Sequence, residues 1–389
     1  MELAERVRRY AAIESRRDRP LIIYATTTRP GLSAIMAGDA VRELIGQIDP
    51  IPRGSTAVDV LIHSTGGDAL AAWKLMSVLR ERFAKIGVLV PFMAFSAATL
   101  FALGADEIVM HPHSSLGPID PQIPLTLPDG SQRRFSYEDV GAFLRFLKDE
   151  AGITDQAHVS AVADKLFSTV DPLILGYAKR ASELSSSVGE RLLKLHLNET
   201  EGEGRAKQIA ENLNKSFFAH GDAVSRTRAR ELQLQVAKDD AELEALIWEA
   251  YLAIESYMEL RHPFVPQRLF LADAAAAASV RPHAPVALPP NAPPQLVQNV
   301  WTTIGNQAVT AAAAAGVEVR YSVVNALMES RRAASEHRTE GAITGFRTPT
   351  GELQLNLLDR EGGWKSVTVP PVPVYDAQGE AEARPKVDL

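Results

Sequence analysis

The sequence predicts an α/β fold, because short apolar runs alternate with helix-like stretches in its N-terminal part. Residues 58–63 form a nearly continuous apolar run, as expected of a strand that is buried on both faces. Residues 68–83 carry their apolar side chains on one side of a helix. The same order returns in residues 87–95, 96–105 and 107–110, and this recurrence predicts parallel strands joined by right-handed crossovers.

The segments before these units are predicted in the same way. Residues 1–18 alternate charged and apolar positions, which indicates a surface helix, and residues 21–24 favour a strand. Helical spacing over residues 37–48 stops before a run that contains two prolines, and proline does not continue a helix.

The later part of the chain predicts helices, a linker and strands. Periodic apolar positions make it mostly helical from residue 137 to about residue 248. Residues 274–294 are rich in alanine and proline, which is typical of a linker or an extended arm. Residues 341–369 alternate as strands do, with a turn predicted at residues 361–363.

Composition argues against several classes of protein. The chain of 389 residues has no cysteine, which excludes disulfides and thiolate catalysis and fits a reducing compartment. Its formal net charge of −7 comes without a basic stripe interleaved with aromatic residues, so we expect no nucleic-acid partner. The longest apolar stretch, residues 88–103, is interrupted by Pro91, Ser96 and Thr99. We therefore expect no membrane span and a cytoplasmic location.

Two glycines mark the first candidate for chemistry. Gly66 and Gly67 lie between a predicted strand and a predicted helix, where backbone N–H groups at a helix N-terminus can stabilise a negative oxygen. Taken alone, the pair is better explained by a tight turn that needs positive φ. His63, beside this turn, is either a hydrogen-bonded strand end or a spare base.

Ser96 and Asp120 are the next candidates. Ser96 follows a buried strand and opens a helix of small residues, so its side chain lies at the carboxyl end of that strand, where open α/β sheets place ligands. The N–H of Ala97 would be a second donor to a negative oxygen. By itself, Ser96 is more typical of a helix N-cap, and Asp120, beside Pro121, is more typical of a turn residue.

We expect no cofactor and no metal. The chain has no Gly-x-x-x-x-Gly-Lys-Ser/Thr phosphate loop. The pair His111 and His113 could be half of a metal site, but no nearby His or Cys pattern completes it, so a loop is the better interpretation.

Four segments taken together resemble a known family. They are Leu61-Ile-His-Ser-Thr-Gly-Gly67, Ala94-Phe-Ser-Ala-Ala98, Ala105-Asp-Glu-Ile-Val-Met110 and Leu116-Gly-Pro-Ile-Asp-Pro-Gln122. Their order and spacing are similar to those of the Clp-protease/crotonase superfamily, and within it to the serine dehydrogenase proteinase family, relatives of signal peptide peptidase A. A looser resemblance continues to about residue 240. The resemblance implies stacked ββα units with helical additions and a small C-terminal region.

The resemblance, together with the composition of the later residues, predicts a division of the chain. We expect a Clp/crotonase-like serine protease domain in residues 1–250, a helical and Ala/Pro-rich linker or arm in residues 251–296, a small α+β region in residues 297–375, and a disordered tail in residues 376–389.

The resemblance implies roles for individual residues. Ser96 matches the nucleophile of the family, and Gly67 and Ala97 match the donors of its oxyanion hole. Asp120 falls where Clp proteases carry their catalytic histidine, and His220 falls close to where they carry their aspartate. The serine dehydrogenase proteinases have Ser, Asp and His in this altered order. His220 would then take the serine proton, and Asp120 would orient the imidazole ring.

A lysine base is the alternative, because signal peptide peptidase A enzymes pair their serine with a lysine from a later helix. Lys148 lies at about the family's separation from Ser96, and Lys165 is a second candidate. A lysine base must be desolvated, whereas the charged neighbours of Lys148 indicate a wet helical face. An incomplete site is the third possibility.

These features predict a cytoplasmic serine peptidase that acts on peptides or proteins through an acyl-enzyme at Ser96. The resemblance also implies a homo-oligomer. One alternative is a scaffold or partner-binding protein that keeps the fold without the activity. A less favoured alternative is an acyl-CoA enzyme of the crotonase type. Such an enzyme uses the same paired amides to hold an enolate, but it would carry acidic residues in place of Ser96.

Overall fold

The structure is a computed structural model of the chain. It describes residues 2–126, 130–167, 170–197, 204–215, 223–280, 291–315, 317–347 and 352–371. The candidate base His220 and the tail predicted for residues 376–389 lie outside these stretches.

Helices and strands alternate along the described residues. The helices are α1 (Leu3–Arg17), α2 (Ala40–Ile48), α3 (Ala69–Arg82), α4 (Ala97–Leu103), α5 (Tyr137–Arg145), α6 (Gln156–Phe167), α7 (Pro172–Leu193), α8 (Arg205–Lys215), α9 (Arg226–Glu231), α10 (Ala241–Tyr257), α11 (Pro266–Ala272), α12 (Ala274–Ser279) and α13 (Pro294–Ala315). A π-helical turn (Phe146–Glu150) follows α5. The strands are β1 (Leu21–Thr26), β2 (Ala57–His63), β3 (Lys85–Val90), β4 (Met93–Ala94), β5 (Glu107–Met110), β6 (Ser115–Leu116), β7 (Ile123–Thr126), β8 (Gln132–Phe135), β9 (Val224–Ser225), β10 (Val319–Glu329), β11 (Ala334–Arg347) and β12 (Leu353–Val367). Within these ranges, no helix combines the length and the apolar character that crossing a bilayer requires.

A central sheet forms the middle of the fold, with its described strands in the order β12-β11-β10-β1-β2-β3-β5. The neighbours β1, β2, β3 and β5 are parallel, with Ile23 opposite Leu61 and Val88 opposite Ile108. Parallel neighbours cannot be joined by a hairpin, so α2, α3 and α4 cross over between them. The predicted α/β fold built from parallel units is therefore confirmed.

Helices cover both faces of this sheet, because successive side chains of a strand point to opposite faces. Val60 and Ile62 of β2 belong to a buried cluster with side chains of α2, α3, α4 and α7. Leu61, between them, belongs to a second cluster with side chains of α1 and α10. The candidate nucleophile lies next to α4, on the first of these faces.

The stretch predicted as one strand over residues 87–95 is two strands in the structure. β3 ends at Val90, and β4 pairs with β6 in a separate small sheet of the order β4-β6-β9. Pro91 stands at the break and has no N–H to donate to a strand ladder. The break leads the chain out of the central sheet and brings Ala94 beside Ser64, just after the end of β2.

The first helix is more than the surface helix that its sequence predicts, because Arg6 and Tyr10 are fully buried. Arg6 Nε donates a hydrogen bond to Glu329 Oε2 at 3.0 Å, and Tyr10 Oη donates to the same oxygen at 2.7 Å. Buried charges need such partners, since an unpaired one is strongly destabilising. The pair therefore holds α1 against the end of β10.

The C-terminal strands extend the central sheet instead of standing apart from it. β10 pairs antiparallel with β1, and β11 and β12 follow at the outer edge. Phe270, in the stretch predicted as a linker, is fully buried against β10 and β11. β12 runs through residues 361–363, so the turn predicted there is wrong. The sheet thus crosses the boundary expected between residues 1–250 and 297–375, and the domain division stays a prediction.

Candidate active site

The end of β2 is hydrogen-bonded to the short strand that precedes Ser96. Ser64 N donates to Met93 O at 3.2 Å, and Phe95 N donates to Ser64 O at 3.0 Å. These bonds align the residues that follow β2 with the residues that follow β4. The Ser-Thr-Gly-Gly turn and the candidate nucleophile therefore lie side by side.

Ser96 has a backbone conformation that residues with side chains rarely adopt. Its φ is 51° and its ψ is −118°, directly between β4 and α4. A non-glycine residue held in such a region costs on the order of 1–3 kcal/mol, and this kind of strain is concentrated at functional sites. A sharp, strained turn from strand to helix is also the geometry that exposes the nucleophilic serine of α/β hydrolases.

This conformation argues against the simple capping role that the sequence favours for Ser96. A serine N-cap normally has extended backbone, and its side chain accepts a hydrogen bond from an N–H of the first turn. Ser96 makes no such bond, and its side chain is partly exposed. Within the part of the chain that the structure describes, the hydroxyl has no hydrogen-bond partner, so it is free to meet a substrate.

Gly66 and Gly67, the diglycine corner, come into direct contact with the turn that carries Ser96. At Gly66 φ is +98°, and an added Cβ would lie 2.4 Å from Phe95 O, 2.6 Å from Ser96 Cβ and 2.8 Å from Ala97 N. Because side chains do not approach other atoms this closely, only glycine fits at this position. The glycine thus serves both the tight turn and the close approach to Ser96.

Two backbone N–H groups beside this contact are available as donors. Among the described residues, Gly67 N and Ala97 N donate to no acceptor, whereas the next amide along, Asp68 N, donates to Met36 O at 2.9 Å. Gly67 is exposed and lies just before α3, and Ala97 is the first residue of α4. The first N–H groups of a helix have no partner within it and can bind a negative oxygen. The arrangement is therefore chemically able to act as an oxyanion hole.

Thr99 anchors the serine-bearing helix, a role for which the sequence offers no signal beyond one hydroxyl in an apolar run. Its buried Oγ1 lies 2.6 Å from Ala94 O and 2.9 Å from Gly117 O, and it accepts the Gly117 N–H at 3.1 Å. One side chain thus joins α4 to β4 and to the segment after β6. These bonds restrain the helix that begins at the candidate nucleophile.

Asp120 lies in a buried segment and not in the exposed turn that the neighbouring proline favours. Its exposed fraction is 8 %, and it accepts a hydrogen bond from Gln122 Nε2 at 2.7 Å. The preceding Ile119 is held from two sides, because its N–H donates to Leu213 O at 3.0 Å and its carbonyl accepts the Ser185 hydroxyl at 2.5 Å. The carboxylate therefore stands on a well-anchored stretch of backbone.

His220 lies outside the described residues, so its distance from the candidate nucleophile stays a prediction. The described chain on either side of it is anchored close to Asp120. Leu213 O accepts the Ile119 N–H, and Val224 of β9 pairs with Leu116 of β6.

Lys148 and Lys165, the alternative bases, are both exposed. Lys148 belongs to the π-helical turn after α5, and Lys165 lies near the end of α6. A lysine serves as a base only where desolvation favours its neutral form. The single chain does not provide that environment at either position, so the geometry does not support the lysine alternative.

His63 is sealed on the α10 side of the sheet, so the idea of a spare base is wrong. Burial of its imidazole lowers the pKa of His63 to about 4. Nε2 lies 3.3 Å from Thr28 Oγ1, and Nδ1 has no partner among the described residues. The rings of Phe92 and Tyr251 lie 6.2 Å and 5.0 Å from the imidazole, centre to centre.

His111 and His113 pack against an aromatic side chain of α10. The two imidazoles are 4.7 Å apart, and His111 stacks on Trp248 at 4.8 Å. Burial, with a smaller effect from the neighbouring His113, lowers the pKa of His111. In the described ranges, no group of three or more His, Cys, Asp or Glu side chains is arranged to hold a metal ion.

Comparison with known sequences finds that the segment with this site is similar to a known family. Residues 35–137 match the sequence model of the family described as ClpP-like SDH-type serine proteinase. Two uncharacterised proteins of Methanocaldococcus jannaschii are 26% and 28% identical to the chain over 179 and 217 residues. The alignments cover 46% and 56% of this chain and 51% and 64% of the relatives. The chain thus spans about half to two thirds of the length of the curated relatives that it matches.

Two solved structures are also similar to the chain. Both are of the 1510-N membrane-bound stomatin-specific protease, one a serine-to-alanine mutant and the other a lysine-to-alanine mutant in complex with a substrate peptide. They share 14% and 16% sequence identity with this chain, and both superpositions have a TM-score of 0.34. The aligned residues make up 57% and 58% of this chain and 81% and 78% of the two solved chains.

The family match confirms the resemblance to the serine dehydrogenase proteinases and the ClpP-like fold. The matched segment contains Gly67, Ser96, Ala97 and Asp120, and the candidate bases follow it in the chain.

Proposed function

We propose that this chain, whose residues 35–137 match the ClpP-like SDH-type serine proteinase family, is a serine peptidase that acts on peptides or proteins through an acyl-enzyme at Ser96. One observation carries the proposal: a partly exposed serine in a strained strand-to-helix turn touches a diglycine corner. Structural serines do not need that strain, whereas a nucleophile gains exposure from it.

The proposed reaction uses the geometry around Ser96 in two steps. The Ser96 hydroxyl attacks the substrate carbonyl carbon while a base takes its proton, and the amine then leaves with a proton from that base. Water attacks the resulting ester and regenerates the serine. The N–H groups of Gly67 and Ala97 would stabilise the negative oxygen of each tetrahedral intermediate, and one such donor contributes ~100- to 1000-fold to the rate.

We propose His220 as the base and Asp120 as the residue that orients it. The support comes from Asp120 itself, which is buried. The segment just before it contacts the chain on either side of residues 216–222, because Ile119 N donates to Leu213 O and Leu116 pairs with Val224. A buried carboxylate can hold an imidazole in one tautomer and stabilise its charged form. Lys148 and Lys165 are the alternative bases.

A fluorophosphonate probe, which labels activated serines, tests the nucleophile. We expect labelling of the wild-type protein and none of Ser96→Ala. Ser77→Ala is the matched control, because Ser77 is also partly exposed but its hydroxyl bonds to Trp73 O within α3. A wild-type protein that is folded and resists labelling would contradict the proposal and favour the scaffold alternative.

The same probe identifies the base. General-base catalysis contributes ~100- to 10,000-fold, so His220→Gln should slow labelling by about that factor. Asp120→Asn should slow it as well, whereas Lys148→Met and Lys165→Met should label like the wild type. Loss of labelling in a lysine variant together with normal labelling of His220→Gln would reverse the assignment.

We also propose that the peptidase acts in the cytoplasm as a homo-oligomer. The absence of cysteine is compatible with a reducing compartment. A groove of about 340 Å³ lined mostly by apolar side chains lies between α5, α6 and α7, and Leu173 of α7 is 81 % exposed. Monomeric proteins rarely expose large contiguous apolar surfaces. Analytical ultracentrifugation should therefore show more than one chain per particle, and a monomer at micromolar concentration would contradict this part.

A further inference from the structure

Ser64 lies between the end of β2 and the diglycine corner, and its side chain is fully buried. Its Oγ accepts a hydrogen bond from Gly66 N at 3.0 Å and one from Thr26 Oγ1 at 2.8 Å. Thr26 is the last residue of β1 and is fully buried as well. Two buried hydroxyls therefore connect β1 to the backbone of the corner.

The main chain of Ser64 is bonded to the other half of the candidate site. Its N–H donates to Met93 O, and its carbonyl accepts the Phe95 N–H. Phe95 is the residue before the nucleophile. Ser64 is thus bonded through its side chain to the corner that carries one oxyanion donor, and through its main chain to the strand that carries Ser96.

We propose that Ser64 is a positioning residue that sets the direction of the Gly67 N–H relative to Ser96 Oγ, an inference that rests on the proposed function. Gly66 has no side chain, and glycine populates positive and negative φ about equally. The buried bond from Gly66 N to Ser64 Oγ removes this freedom on one side of the residue. The peptide that follows Gly66 carries the Gly67 N–H, and its carbonyl oxygen, Gly66 O, accepts the Met36 N–H at 2.7 Å. Ser64 and Met36 therefore hold the peptides on the two sides of Gly66 and together set the direction of the Gly67 N–H.

Thr26 controls the Ser64 hydroxyl in turn. A serine hydroxyl can accept two hydrogen bonds, and Thr26 Oγ1 and Gly66 N supply both donors. Losing the Thr26 donor would leave the bond to Gly66 intact but would let the hydroxyl rotate. We therefore expect Thr26 to matter less than Ser64, and a serine at position 26 to replace it.

The experiment compares Ser64→Ala, Thr26→Val and Thr26→Ser with a control variant, Ser330→Ala, in which a buried serine hydroxyl is removed elsewhere in the fold. Ser330 is fully buried, and its Oγ accepts Arg332 N and Ala333 N at 3.1 Å in the turn between β10 and β11. Ser330→Ala therefore removes the same kind of hydroxyl-to-backbone bonds away from the site. Two quantities are measured on folded protein: the rate of fluorophosphonate labelling, and the amide hydrogen exchange of Gly66 in ¹⁵N-glycine-labelled protein by NMR.

In Ser64→Ala, the Gly66 amide hydrogen should exchange with solvent about tenfold faster than in the wild type, because its buried hydrogen bond is lost. Its labelling should slow by ~10- to 100-fold, somewhat less than deletion of a whole oxyanion donor. Thr26→Val should show smaller changes of the same sign. Thr26→Ser and Ser330→Ala should match the wild type in labelling rate and in Gly66 exchange rate. This holds for Ser330→Ala even if it unfolds at a lower denaturant concentration than the wild type.

Each adverse outcome has its own meaning. An unchanged Gly66 exchange rate in Ser64→Ala, or labelling as fast as that of the wild type, overturns the inference while the proposed function stands. Equal slowing in Ser330→Ala shows that general destabilisation is the cause and overturns it too. A wild-type protein that is not labelled at all contradicts the proposed function, and the inference falls with it.

Discussion

Replacing Gly66 by alanine perturbs the contact on which the candidate site depends. The added methyl carbon would lie 2.4 Å from Phe95 O and 2.6 Å from Ser96 Cβ, in a residue held at φ +98°. Both neighbours belong to the turn that carries Ser96, the proposed nucleophile. Either that turn or the diglycine corner must therefore move.

The size of the effect follows from the two sources of strain at Gly66. A side chain forced into a left-handed conformation costs about 1–2 kcal/mol, and an overpacked buried contact adds typically about 1–3 kcal/mol. We expect the free energy of unfolding to fall by about 2–5 kcal/mol. Labelling by a fluorophosphonate should slow ~100-fold in protein that is still folded, because a shift of about 1 Å near reacting atoms can cost that much.

The assay combines urea unfolding with the labelling rate measured below the unfolding transition. Gly46→Ala is the matched control, because Gly46 lies inside α2 and an added Cβ would meet no atom of the described residues within 4 Å. Alanine favours helix over glycine by about 1 kcal/mol, so this control should be at least as stable as the wild type and label at the same rate. If Gly66→Ala has the urea midpoint and the labelling rate of the wild type, the diglycine corner does not contact Ser96 and the reasoning is refuted.

Three further changes test other parts of the molecule. His63 stays neutral in the folded protein down to about pH 4, whereas in the unfolded chain it takes up a proton near pH 6.5. The free energy of unfolding should therefore fall as the pH drops from about 6.5 to about 4, by on the order of 3 kcal/mol in all. His63→Phe should flatten this part of the pH dependence in urea titrations, and an unchanged slope would argue against a buried imidazole. Glu329→Gln removes the main counter-charge of buried Arg6 and should cost about 3–5 kcal/mol of unfolding free energy, whereas Glu5→Gln in an exposed ion pair should leave the urea midpoint unchanged. Thr99→Val removes the buried hydroxyl that accepts the Gly117 N–H and that lies within hydrogen-bond distance of Ala94 O and Gly117 O, so it should cost about 1–3 kcal/mol of unfolding free energy and slow labelling; normal values of both would mean that Thr99 does not anchor α4.

The elements of the parallel units could be predicted because each depends on neighbouring residues. The apolar run at residues 58–63 is β2 (Ala57–His63), and the amphipathic stretch after it is α3 (Ala69–Arg82). Burial on both faces or on one side of a helix leaves a periodic pattern that can be read along the chain. The strand predicted over residues 87–95 was wrong in its extent, since a proline and a change of sheet interrupt it.

The candidate site was predictable in its residue types but not in its conformation. A serine before a helix of small residues is compatible with a cap and with a nucleophile, and only the φ of 51° and the missing capping bond distinguish the two. The roles proposed for Ser64 and Thr99 could not be predicted from the sequence. Their hydroxyls act through partners on other strands, and no local pattern shows which strands will meet.

The sequence by itself determined the order of strands and helices through β5, the glycine corner and the serine that follows β4, because periodicity and backbone freedom are properties of short segments. The tertiary structure alone decided that β10, nearly 300 residues after β1 in the chain, pairs with it and that Arg6 is buried against Glu329. It also decided that His63 is buried against Phe92 and Tyr251, on the α10 side of the sheet. These outcomes depend on which distant segments satisfy each other's hydrogen bonds and charges when water is excluded. Such pairing is a property of the whole packed chain, since a buried group must find its partner wherever the fold places one.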